Sequence, residues 1–124
     1  MAKNKRVTYE EKIIKSLEEL PNPIMDKKHG LEIFFINNRA RSNESRFEHI
    51  SVDRHELKPR DIKRIVVAIK TSILRKDKQR KNTYNLYIKR TNYNDEYIKI
   101  SLYANFQKNN EAIVKTIFIT KNFK

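Results

Sequence analysis

The chain has 124 residues, enough for one domain around one modest core. Lys and Arg number 28 against 15 Asp and Glu, a net charge of +13, so the expected partner is a polyanion: nucleic acid first, with an anionic membrane or an acidic protein as alternatives. The absence of cysteine excludes disulfides, thiolate nucleophiles and Cys-ligated zinc, and the lone glycine, Gly30, excludes P-loop and GxGxxG phosphate cradles.

No apolar run approaches the roughly 18 residues of a membrane helix, and no hydrophobic segment follows the basic N-terminus. Neither a membrane span nor a secretory signal is therefore expected, and a cytoplasmic location is. Residues 1–6 are basic and expected to fray. Thr8-Tyr9-Glu10-Glu11 reads as a capping box, with Thr8 as N-cap and Glu11 reaching back. Ile13, Ile14, Leu17 and Leu20 follow at helical spacing, and Pro21 and Pro23 end that helix. Leu31 to Ile36 is a short apolar run of high β propensity, readable as an edge strand or a short helix. Asn37 to Arg46 is polar and aperiodic and reads as a loop, and Phe47 to Leu57 as irregular chain or a short turn.

Pro59 suits the first turn of a helix. Ile62, Ile65, Val66, Ile69 and Ile73 then mark one helical stripe, the strongest helix signal in the chain. Arg75 to Lys81 reads as a basic loop, either simply solvated or a nonspecific phosphate grip. Three strands follow. In the first, Tyr84, Leu86 and Ile88 alternate with Asn85, Tyr87 and Lys89; in the second, Ile98, Ile100 and Leu102 alternate with Tyr97, Lys99, Ser101 and Tyr103. In the last, Ile113, Ile117 and Ile119 flank Val114, Thr116, Phe118 and Thr120. Turns at Asn92–Asp95 and Gln107–Asn110 are short, which predicts an antiparallel meander with one aliphatic face toward the helices. No repeat or linker divides the chain. Residues 1–124 form one domain, with 1–45 a helical and irregular extension and 46–122 the core.

The polar face of that sheet would carry Tyr87, Lys89, Tyr97, Lys99, Ser101 and Tyr103. Alternating rings and cations can stack bases and hold phosphates, although tyrosine and lysine are also ordinary strand residues. Tyr87, Tyr97, Lys99, Tyr103 and Arg90 are the expected RNA contacts. His49 and His55 flank Arg54 in the segment Glu48-His49-Ile50-Ser51-Val52-Asp53-Arg54-His55-Glu56-Leu57. RNA cleaves through its own 2′-hydroxyl when a base removes that proton and an acid protonates the leaving 5′-oxygen, and imidazole does either near neutral pH. Arg54 is suited to clamp a phosphate bidentately, and Thr116 and Thr120, on one strand face, to donate to it. Against these stand blander roles: histidines satisfying local groups, an Arg54 surface ion pair, and threonines chosen for β propensity. His29, beside Gly30 in a turn, is expected to be solvated. With no compact Asp/Glu/His cluster of ligand spacing, no metal and no cofactor are expected.

The layout Phe47-Glu48-His49-Ile50 … Arg54-His55-Glu56-Leu57, then a helix, then strands ending Val114-Lys115-Thr116-Ile117-Phe118-Ile119-Thr120, resembles the barnase–EndoU–colicin–RelE (BECR) superfamily. The phage-borne and polymorphic-toxin branches are the most similar, over residues 45–122. The resemblance implies an α+β fold, with N-terminal helices packed on a twisted antiparallel sheet of three to four strands. It also implies metal-independent RNA cleavage, tRNA being one substrate option, with His49, Arg54 or His55, Lys89, and Thr116 or Thr120 at the site. Such toxins are held by an immunity or antitoxin protein, and +13 suits an acidic one. A chain beginning at Met1 with no large delivery region fits a phage or mobile-element protein, or an excised toxin domain. Two other readings remain: a non-catalytic nucleic-acid-binding module, and a phage protein that inhibits a host protein.

Overall fold

A computed structural model describes residues 8–41, 43–52, 56–91 and 95–121. The basic N-terminus, the Asp53-Arg54-His55 segment and residues 92–94 of the expected Asn92–Asp95 turn lie outside the described residues.

Helix α1 (Tyr9–Glu18) begins on the capping box read from sequence. Thr8 Oγ1 accepts the Glu11 N–H at 3.1 Å, and Glu11 Oε1 accepts the Thr8 N–H at 3.0 Å. These bonds satisfy two backbone donors that the first helical turn otherwise leaves unpaired. Ile13 and Leu17 bury the apolar stripe. Strands β1 (Ile24–Asp26) and β2 (Leu31–Phe34) form an antiparallel hairpin. Gly30 closes it at φ 70°, where a side chain would strain the backbone. His29 is half-buried there and tied to its neighbour: its Nδ1 lies 2.7 Å from Oδ2 of the buried Asp26, which also accepts the His29 N–H.

The segment expected to be a loop contains a two-stranded ribbon, β3 (Arg39–Arg41) and β4 (Glu44–Ser45). The segment expected to be irregular is helix α2 (Arg46–Val52). A second capping pair explains it. Glu48 Oε1 accepts the Ser45 N–H at 2.9 Å and Ser45 Oγ accepts the Glu48 N–H at 3.3 Å, while Phe47 and Ile50, three apart, enter the core. Helix α3 (Pro59–Ala68) carries Pro59 in its first turn and buries Ile62 and Ile65. A 3-10 turn, Ile69–Thr71, stops the stripe, so Ile73 starts a strand instead of ending the helix.

Strands β5 (Ile73–Lys76), β6 (Thr83–Lys89), β7 (Tyr97–Ala104) and β8 (Glu111–Thr120) form the antiparallel meander. Arg75 and Lys76 are thus strand residues, not loop. The fold is α+β, but its sheet has six strands, in the order β1-β2-β8-β7-β6-β5, where three to four antiparallel ones were expected. The sheet is mixed because β2 pairs parallel with β8, Ile33 standing opposite Ala112. Leu31–Phe34 is therefore an interior strand, and residues 24–34 are part of the sheet, not an irregular extension. One apolar cluster, from Ile13 to Ile117, joins the helices to one sheet face. Among the described residues no helix is long and apolar enough to cross a membrane.

Two side chains tie down the backbone that leads into α3. Tyr9 Oη donates to the Leu57 carbonyl at 2.6 Å. Arg90, expected at an RNA surface, is instead buried: Nε and Nη2 donate to Asp61 at 3.0 and 2.9 Å, Nη1 to Glu96 at 2.7 Å, and Nη2 to the Glu56 carbonyl at 2.7 Å. Its guanidinium is occupied by these groups and is not offered to a phosphate. Arg90→Met leaves the Asp61 carboxylate buried without its partner and is expected to cost about 3–5 kcal/mol, read as a lowered urea midpoint. Burial, then the charges of Glu56 and Glu10, raise the Tyr9 pKa to about 12. The folded-state value lies above the unfolded one, so this contribution is complete below about pH 10 and is lost as pH rises toward 12. Tyr9→Phe is expected to lower stability by about 0.5–1.5 kcal/mol at pH 7, and the gap to wild type should close on denaturation above pH 10.

Candidate nucleic-acid interface

The register places the expected polar residues in rows across the face turned away from the helices. Lys89 stands beside Tyr97 and Thr120, Tyr87 beside Lys99 and Phe118, Asn85 beside Ser101 and Thr116, and Thr83 beside Tyr103 and Ile113. Strand β5 adds Ile73 next to Tyr87 and Arg75 next to Asn85. The sheet is curled and mixed, with the helices packed against it. On this face Tyr87, Asn85 and Ser101 keep only 2%, 6% and 7% of their surface. Lys99 sits at the centre, its Nζ 5.7 Å from the Tyr87 ring centroid and 5.2 Å from that of Phe118, within reach of both negative ring faces.

A β-bulge shapes the same face. Ser101 opposes Thr116 while Leu102 opposes Val114, so Lys115 is an extra residue in β8. The bulge lets Val114 and Ile117, three apart, both enter the core. It also leaves Lys115 able to cross β7, where its Nζ donates to Thr83 Oγ1 at 3.3 Å. Arg46, at the start of α2, donates from Nη1 to the Lys115 carbonyl at 2.9 Å and from Nε to Asn38 at 3.0 Å, bracing the bulge against the helix layer. Burial lowers the pKa of Arg46, and burial followed by the charge of Arg80 lowers that of Lys115. Thr116 Oγ1 is buried and has no hydrogen-bond partner among the described residues.

Next to Lys99 the β5–β6 hairpin opens a cavity of about 700 Å³ lined by Arg75, Lys76, Asp77, Lys78, Gln79, Asn85 and Lys99. Four cations face one carboxylate there. Asp77 accepts the Gln79 and Arg80 N–H groups and Asn85 Nδ2, which shapes the turn; the Gln79 bond most strongly keeps its pKa low. The cavity can take an anion or a base stacked beside cations.

Of the residues singled out from sequence, Tyr87, Lys89, Tyr97, Lys99, Tyr103, Thr116 and Thr120 share this face. Arg90 does not, and Arg54 and His55 lie outside the described residues. His49 lies on α2, three residues beyond Arg46, with Nδ1 3.1 Å from Glu44 Oε1. Sequence reading passed over Arg46, Asn85 and Lys115, and took Arg75 only as part of a basic loop with a nonspecific phosphate grip as its functional role. A signal for Lys115 was present: apolar Val114 and Ile117 three apart break the two-residue period of a strand. Among the described residues there is no group of three or more His, Asp or Glu able to hold a metal ion. Comparisons with protein-family models, with curated proteins and with solved structures gave no match.

Leaving a buried hydroxyl unpaired carries a desolvation penalty of about 1–3 kcal/mol, which an isosteric apolar group avoids. Thr116→Val is therefore expected to melt no lower than wild type, and up to several degrees higher, in a thermal scan. A fall in melting temperature would show that the hydroxyl is satisfied.

Proposed function

We propose that this protein is a metal-independent endoribonuclease that binds RNA across the curled sheet face. The observation that carries the reading is the convergence of Lys99, Lys115 and Arg75 with hydroxyl groups and aromatic rings on that one face. Cations meet the phosphates, rings offer stacking, and the partly enclosed setting strengthens each electrostatic contact. The resemblance to the BECR superfamily supports the same chemistry. In it the ribose 2′-oxygen bonds to the adjacent phosphorus and the bond from phosphorus to the 5′-oxygen breaks, leaving a 2′,3′-cyclic phosphate and a 5′-hydroxyl.

A base must take the 2′-hydroxyl proton and an acid must protonate the 5′-oxygen, and His49 and His55 are the groups proposed for these steps. With Glu44 accepting from Nδ1–H, His49 keeps Nε2 as its basic nitrogen. At three residues' spacing it shares a helical stripe with Arg46, which reaches the β8 bulge. Lys99, Lys89, Arg54 and Thr120 are proposed to hold the backbone and its developing charge. The charge of +13 fits an acidic immunity or antitoxin protein as a partner and RNA in a cytoplasm as the target.

The Glu44–His49 bond also favours a second reading, a non-catalytic RNA-binding module in which that histidine is structural. Incubation of the protein with total RNA in EDTA separates the two. A nuclease yields cyclic-phosphate ends, and His49→Ala or His55→Ala lowers the rate by about 10²–10⁴ while RNA affinity persists. A binding module leaves the RNA intact at every protein concentration while retaining salt-sensitive affinity.

A further inference from the structure

We propose that the bulge in β8 builds a phosphate-binding subsite on the curled face, with the Lys115 ammonium and the Thr116 hydroxyl as its paired donors. The inference deepens the reading above, from which it takes the RNA backbone as the source of the phosphate. It assigns a role to Lys115, a residue to which neither the strand periodicity nor the resemblance gave one.

Lys115 is half-buried, and among the described residues it has no ion pair; its Nζ donates only to Thr83 Oγ1, at 3.3 Å. Asp77 is near enough to raise its proton affinity, but Arg80 and Arg46 oppose that field, and burial adds to them. A desolvated ammonium among cations calls for a counter-anion. The next residue, Thr116, supplies a buried hydroxyl with nothing to bond. Both lie on the curled face: Thr116 by its pairing with Ser101, and Lys115 by its contact with Thr83, two strands away.

Nonbridging phosphate oxygens would satisfy both groups at once. One accepts from Thr116 Oγ1 and another from Lys115 Nζ, which leaves its present partner by a rotation of its flexible stem. Asn85 and Ser101, in the same row, are neutral and polar and do not repel an anion. Lys99, in the adjoining row, adds a second positive charge. Arg46 on the Lys115 carbonyl holds the bulge, and with it the relative placement of the two donors.

The test is a titration of the full chain with two probes: inorganic phosphate, followed by amide shifts in β8, and a 2′-O-methyl single-stranded RNA that cannot be cleaved, followed by anisotropy. Lys115→Met and Thr116→Val are each expected to weaken both probes by about tenfold or more, the scale of a lost charge-assisted hydrogen bond. Lys115→Arg and Thr116→Ser, which retain the charge and the hydroxyl, should stay close to wild type. Unchanged phosphate binding in Lys115→Met and Thr116→Val overturns the subsite. Weakened phosphate binding with unchanged RNA binding overturns its assignment to the RNA backbone. If both probes respond as expected but wild type cuts no RNA in EDTA, the subsite stands and only the nuclease reading fails.

Discussion

Strand β8 is the constraint on which the rest of the molecule depends. Among the described residues it is the longest strand, and it joins the two parts of the sheet, antiparallel to β7 and parallel to β2. Its core-facing residues, Ala112, Val114, Ile117 and Ile119, have to meet the helices on one side. That cannot be done with a two-residue period when Val114 and Ile117 are three apart, so the strand bulges at Lys115. A bulge sharpens the local twist, which suits a sheet that curls. The strand that closes the core is thus also the one that carries Lys115 and Thr116 to the opposite face.

The two faces obey different physics. The helix-side face is aliphatic and packs by shape, its residues joined with the buried stripes of α1, α2 and α3 in one apolar cluster. The other face buries polar groups, and buried polar groups are costly unless bonded. Most are: Thr83 receives Lys115 and donates to the Lys81 carbonyl, and Asn85 donates to Asp77. Among the described residues Thr116 is the exception. A solvent-facing sheet of tyrosine and lysine would need no explanation. The cations and the unbonded hydroxyl of this face are what the proposed phosphate subsite rests on.

Local rules were readable from sequence wherever the information is local. Thr8 and Glu11 are three residues apart, and Pro59 acts on its own turn, so both ends of chain that they control could be placed. Ser45 and Glu48 carry the same signal and went unread because the helix that they start is only seven residues long. Alternation in β6 and β7 assigned Tyr87, Lys99 and Ser101 to one face, and the register agrees. It could not show that this face is enclosed, since curling depends on the whole sheet. Nor could it place Arg90, whose partners Asp61 and Glu56 are 29 and 34 residues away.

What the sequence determined by itself was the class and the periodic parts: one basic α+β chain, its two longer helices, its meander, and the shared face of Tyr87, Lys99 and Ser101. These follow from capping, stripe and alternation, each fixed within a few residues. The tertiary structure alone decided that β2 lies inside the sheet and runs parallel to β8, and that Arg90 is an internal brace. It alone set Lys115 across the curled face with Thr116 unbonded beside it. Those outcomes depend on pairings between distant segments, chosen by the packing of the complete core and not by any local pattern.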